Sequence, residues 1–211
     1  MTGPRIINLG LPKTGTTTLT DALRHAGLTV ADWRIRKGQS RREDILGEHV
    51  GRIIYADYFD SGDPLARLGE FDVVNEMSAV RHDRSLWPQT DYGVLSAIQT
   101  HHPEVKFLLS HRDPAKTANS MMRWNNLGRR RLPAADVPAL PRGFGRSEGE
   151  LARWIGAHYA FCRRVFQGCD NFLEFDIEDP GARDRIAGYL GIDLPWWGQS
   201  NSGKPASAEA G

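Results

Sequence analysis

The chain has 211 residues, 40% of them hydrophobic, a formal net charge of +1 and two cysteines. That length and apolar content support one ordinary domain whose core needs no disulfides. The near-neutral charge gives no ground for nucleic acid or a membrane surface as a partner. Cys162 and Cys169 belong to no metal motif and read as reduced thiols of a cytoplasmic protein.

Strands alternate with helices along the chain. Residues 5–9 form an apolar first strand, residues 17–26 a helix stopped at Gly27, and residues 28–31 a short second strand. The charged stretch 41–50 is expected to be helical, with a weak strand at 53–55. A better strand at 71–74 leads into Asn75 and Glu76. Residues 92–101 read as a helix ending before Pro103, and residues 105–110 as a continuous apolar strand, the pattern of a central strand in a parallel sheet. Asp113 as N-cap and Pro114 at the first position open a helix expected to reach Leu127. Residues 128–146, rich in Pro, Gly and Arg, read as a long loop. Ser147 and Glu150 have capping-box spacing for a helix to about Gln167. A late strand at 171–175 and a helix at 180–190 complete the pattern. The expectation is an α/β fold: a single domain over residues 1–197, with a mostly parallel central sheet flanked by helices, and a disordered polar tail over 198–211. The N-terminus shows no signal peptide, and no apolar run is long enough to span a bilayer.

Chemistry concentrates first at residues 6–19, IINLGLPKTGTTTL. An apolar strand entering a Gly-, Lys- and Thr-rich turn and leaving as a helix describes a phosphate cradle, because backbone N–H groups and the helix dipole converge there. Gly10 and Gly15 let the backbone close around an anion. Their spacing matches a triphosphatase loop, G-x-x-x-x-G-K-[ST], but Thr16 stands where that loop has its lysine, and Lys13 sits inside the turn instead. A second strand–turn–helix follows at residues 108–120. Arg112 precedes the N-cap, and Ser120 lies seven residues beyond Asp113, on the same helical face. An arginine fork and a hydroxyl so placed can grip one phosphate.

P-K-T-G-T-T at residues 12–17 resembles the 5′-phosphosulfate loop of sulfotransferases that use 3′-phosphoadenosine 5′-phosphosulfate (PAPS). R-D-P-x-x-x-x-x-S at residues 112–120 resembles their 3′-phosphate motif, and the strand and acidic turn at 172–180 are similar to the family's C-terminal part. The resemblance covers about residues 5–192 and implies a P-loop NTPase-like sulfotransferase fold. It implies that Lys13 contacts the bridging oxygen and sulfuryl group, that Pro12, Thr14, Gly15, Thr16, Thr17 and Thr18 belong to the 5′-phosphate site, and that Arg112 and Ser120 bind the 3′-phosphate. The chain has Thr18 where many cytosolic relatives have Trp, lacks their Lys-Thr-His strand motif, and keeps only Gly203-Lys204 of their C-terminal clamp. The implied activity is sulfuryl transfer from PAPS to a hydroxyl or amine of a small-molecule or glycan acceptor, in line and without a metal. A nucleotide-dependent phosphotransferase or kinase, and a non-catalytic nucleotide-binding protein of the same fold, are the alternatives.

An acceptor hydroxyl needs a base. Glu76, delivered to a strand's carboxyl end, is the candidate, with an ion-pair partner as its other reading; Asp57 and His82 are weaker choices. The arginines at 123, 129, 130, 131, 142 and 146 read as an acceptor lid, a seat for an acidic substrate, or a solvated loop. Trp87, Trp124, Tyr55, Tyr58 and Phe59 read as core or as an aromatic acceptor pocket.

Overall fold

A computed structural model describes residues 5–81 and 83–198. The expected tail from 198 onward, apart from Gly198, therefore lies outside the described residues, as do Gly203, Lys204 and His82.

Five strands form one parallel sheet: β1 (Ile6–Asn8), β2 (Val30–Ala31), β3 (Val73–Val74), β6 (Lys106–His111) and β7 (Phe172–Asp176), in the order β2-β3-β1-β6-β7. Ile6 and Ile7 stand opposite Val73 and Val74 on one side and Lys106 and Phe107 on the other. Two further strands, β4 (Ala79–Arg81) and β5 (Arg84–Leu86), pair antiparallel as a separate hairpin. The helices are α1 (Thr16–His25), α2 (Val50–Ser61), α3 (Tyr92–His101), α4 (Pro114–Arg123), the single turn α5 (Leu132–Ala134), α6 (Glu148–Val165) and α7 (Ala182–Leu190).

Strand periodicity divides the core in two. Ile7, Leu9, Val74, Phe107 and Leu109 point to one side of the sheet, where α2, α3, α4 and α6 cover them. Ile6, Val73 and Leu108 point to the other, against Leu19, Ala22 and Leu23 of α1 and Ala182 and Ile186 of α7. Trp196 and Trp197 pack on this second layer, and Trp196 stacks on His25 at 5.2 Å. The chain fills positions to one side of β1 first and then crosses to the other. The carboxyl end of β1 is thus the switch point, where an open α/β sheet leaves a crevice.

Several expected elements are present, the strand expected at 105–110 shifted by one residue to Lys106–His111. The 92–101 helix is α3, capped by Asp91, and the strand at 105–110 is interior, between β1 and β7. Asp113 caps α4 by accepting from Lys116 N at 2.9 Å, and the Ser147–Glu150 capping box is complete.

Other expectations are corrected. Residues 41–50 are not a helix: they hold only a 3₁₀ turn, Glu43–Ile45, and the helix begins at Val50. Residues 53–55 are not a strand but part of α2, because Val50, Ile53, Ile54 and Asp57 recur at helical spacing and all are buried. Helix α4 stops at Arg123 rather than Leu127, since Asn125 and Asn126 turn left-handed (φ +42° and +57°). The 128–146 loop is partly ordered, by a π-helical turn, Leu127–Arg131, and by α5.

Candidate active site

The loop after β1 is shaped by close approach. A methyl on Gly10 would stand 2.1 Å from Ser110 Oγ, and one on Gly15 would stand 2.2 Å from Ile177 Cγ1, so neither position admits a side chain. Gly15 is left-handed (φ +89°) and caps α1 without a side-chain bond, which leaves first-turn N–H groups turned toward the crevice. Lys13 is also left-handed (φ +73°), a conformation costing a non-glycine residue about 1–3 kcal/mol. Two left-handed residues around Thr14 curl the loop into a concave run of amides suited to an anion.

A buried polar network holds this loop against its neighbours. Asn8 Nδ2 donates to Asn75 Oδ1 (2.9 Å), while Asn8 Oδ1 accepts from Gly10 N (3.2 Å) and Ser110 N (3.1 Å). Asn75 Nδ2 in turn donates to the Thr16 carbonyl at 2.6 Å and to Thr20 Oγ1. These two asparagines lock β1, β3, β6 and the start of α1 together. From the opposite side, His158 Nε2 donates to the Leu9 carbonyl at 2.8 Å. Burial lowers His158 to about 4, so the imidazole is neutral and serves as a fixed donor.

The residues singled out from the sequence take distinct places. Thr14 is fully buried; its hydroxyl donates to the Leu11 carbonyl (2.7 Å) and meets Ser110 Oγ at 3.0 Å, so it braces the loop from within. Pro12 and Thr18 are half-buried at the loop and first turn, and Thr17 is exposed there. Thr16 hydrogen-bonds through its side chain to Glu76, and Ser78 Oγ donates to Glu76 Oε1. Glu76 therefore lies at the N-terminus of α1. Loss of hydration, with Asp32 adding to it, raises Glu76 to about 7 against those two hydroxyl bonds.

Burial likewise pushes the Lys13 ammonium below its ordinary range; Glu76 opposes this shift and Arg112 adds to it. Lys13, Glu76 and Arg112 thus share one electrostatic neighbourhood. Lys13 Nζ lies over the ring of Trp124, 4.8 Å from its centroid.

Arg112 is held by Glu178 in the turn after β7: Nε and Nη2 lie 2.7 and 2.6 Å from Glu178 Oε1. Lys116 Nζ reaches Oε2 of the same carboxylate at 2.7 Å. Tyr159 Oη donates to the Arg112 carbonyl at 3.2 Å and fixes the backbone beneath the guanidinium. Ser120 is half-buried two turns up α4.

The remaining candidates fall elsewhere. Asp57 is buried in an ion pair with Arg67 Nε at 2.5 Å. Trp87 is core, edge-on to Trp154 at 5.4 Å. Tyr55, Tyr58 and Phe59 cluster on α2. Arg142 pairs with Asp136, whereas Arg131 reaches the Val80 carbonyl. Both cysteines are free, and among the described residues no group of three or more His, Cys, Asp or Glu could hold a metal. No helix of these residues is long and apolar enough to cross a membrane.

Sequence reasoning missed Asn8, His158 and Glu178. A polar residue ending an apolar strand was the available signal for Asn8; His158 and Glu178 had none, because only the fold brings them to the loop.

A parallel sheet with a glycine-shaped loop at its switch point, a lysine within the loop and an arginine beside it is an arrangement suited to holding an anion. The family model described as "Sulfotransferase domain" matches residues 5–201. The chain belongs to the sulfotransferase family, and its role is that of a sulfotransferase-like enzyme. No curated protein matches it.

Proposed function

We propose that this protein transfers a sulfuryl group from PAPS to an acceptor hydroxyl or amine by in-line displacement. The observation that carries the reading is the convergence of Lys13, Glu76 and Arg112 on the amide-lined N-terminus of α1. The donor's groups fit this set: loop and first-turn amides with Thr16, Thr17 and Thr18 for the 5′-phosphate, and Arg112 with Ser120 for the 3′-phosphate. In the transfer, the acceptor oxygen bonds to sulfur as the sulfur–oxygen bond to the 5′-phosphate breaks. The acceptor proton passes to the Glu76 carboxylate, and 3′,5′-adenosine bisphosphate (PAP) leaves. Negative charge grows on the former bridging oxygen, and Lys13 stabilises it.

The Arg112–Glu178 pair sharpens the test. A 3′-phosphate must take the guanidinium from Glu178, so the measured affinity is a difference between two anions. Arg112→Ala should weaken PAP binding by about 2–4 kcal/mol while leaving adenosine 5′-phosphosulfate, which lacks the 3′-phosphate, nearly unchanged. Glu178→Gln should tighten PAP binding. Calorimetry that finds equal losses for both ligands in Arg112→Ala would make the arginine a support of the fold instead.

A further inference from the structure

The segment after α4 and the β4–β5 hairpin close one side of the cradle. Trp124 is shared: Lys13 Nζ lies 4.8 Å from its ring centroid and the Arg131 guanidinium 5.8 Å from it. Arg131 Nη2 donates to the carbonyl of Val80, the residue before Arg81. The Arg81 guanidinium lies 5.8 Å from the ring of Trp33, and Asp32, the residue before Trp33, is within electrostatic reach of Glu76. These contacts link Lys13 through Trp124 to Arg131, and Arg131 through the Val80 carbonyl to the strand that carries Arg81, which lies over Trp33.

The charge of this set is unbalanced. Arg84, Arg112, Arg142 and Arg163 each have a carboxylate partner, but among the described residues neither Arg81 nor Arg131 has one. Arg131 is half-buried, and both burial and the neighbouring Arg81 hold its guanidinium below the usual value. Two like charges held near each other, Arg131 half-buried and Arg81 exposed, stand at a cost that an oxyanion between them would relieve. Each guanidinium carbon also lies over an indole ring, Arg81 over Trp33 and Arg131 over Trp124.

We propose that these residues seat the acceptor and that the acceptor is a small hydroxylated anion. Its carboxylate or comparable oxyanion is held between Arg131 and Arg81, its body lies against Trp124, and its hydroxyl is directed toward Glu76 and Lys13. Such a substrate separates its two ends by charge: the anion goes to the arginines, and the neutral hydroxyl goes to the carboxylate that takes its proton. The inference rests on the sulfotransferase reading and adds the acceptor's class to it.

The test is calorimetric titration of 4-hydroxybenzoate and of its neutral counterpart 4-hydroxybenzamide into protein saturated with PAP, at low ionic strength. The acid should bind about tenfold or more tightly than the amide, the effect of a charge-assisted pair, and the preference should shrink as salt is added. Arg81→Ala, at an exposed position, should cut the preference below about threefold with PAP affinity unchanged. Arg131→Gln should do the same, and Arg131→Lys, which keeps the charge and a donor for Val80, should retain much of it. Equal binding of the two compounds, binding of neither, or a preference that survives both Arg81→Ala and Arg131→Gln overturns the proposal. Wild-type protein that binds no PAP overturns the donor reading and this one with it; PAP binding without the acid preference overturns this one alone.

Discussion

Lys13→Ala is expected to lower turnover by about a hundredfold or more, with a much smaller change in PAP affinity. The loop's shape does not depend on the lysine side chain. Gly10, Gly15, Thr14 and the Asn8–Asn75 network set it, so the phosphate amides should persist in the variant. In the proposed mechanism, what disappears is the ammonium facing the oxygen on which charge accumulates as the sulfur–oxygen bond lengthens. PAP carries a full 5′-phosphate charge, so it gains some attraction from Lys13, but the incremental charge exists only in the transition state. Trp124 beneath Nζ restricts where that charge can sit, which makes arginine a poor replacement despite its sign. Single-turnover kinetics beside PAP titration separates the two effects. A fully active Lys13→Ala enzyme would remove the mechanism.

Glu76→Gln is expected to leave PAP binding intact and lower turnover by about 10²–10⁴-fold on a hydroxyl acceptor of high pKa. The amide keeps the shape and can still accept from Ser78 and Thr16, but it takes no proton. An acceptor already ionised at the assay pH should be far less affected, and that contrast separates a base from a carboxylate that only supports α1. The pH profile follows from the raised carboxyl. Below about 7 Glu76 is protonated and cannot act, so the wild-type rate should fall as pH drops through that value, and the fall should vanish in the variant. The same shift has a stability consequence of definite sign. The native state holds its proton more tightly than the unfolded chain, so stability declines as pH rises from the ordinary carboxylate range to about 7. Above that range Glu76→Gln should melt no lower than wild type. Equal slowing with both acceptors, or a fall in melting temperature that matches the loss of rate, would contradict the assignment.

The parts of this fold legible in the sequence are those set by local chemistry. The α3 helix, the Asp113 and Ser147 caps, the interior strand β6 and the glycines around Lys13 each follow from residues within a few positions of one another. Helix α2 was misread because its apolar triplet fits either period until the partners at Val50 and Asp57 are counted with it. The β4–β5 hairpin has only three residues per strand, too few for an alternation to register. That Lys13, Glu76 and Arg112 come into one neighbourhood follows from motif spacing and strand ends. Glu178 and His158 were not legible, because Glu178 lies 66 residues from Arg112 and His158 lies 149 residues from Leu9. The approach of Arg131 to Trp124 and the Val80 carbonyl depends on how the segment after α4 folds back, which composition alone does not encode.

The central claim is that this cradle reads a 3′-phosphorylated adenosine donor. It is tested most directly by comparing thermal stabilisation by PAP with stabilisation by ADP plus Mg²⁺, each in matched buffers with and without a chelator. The account predicts that PAP raises the melting temperature more than ADP–Mg²⁺ does, and by the same amount when the chelator is present. A larger shift with ADP–Mg²⁺ that the chelator abolishes would contradict it and make the cradle that of a phosphotransferase.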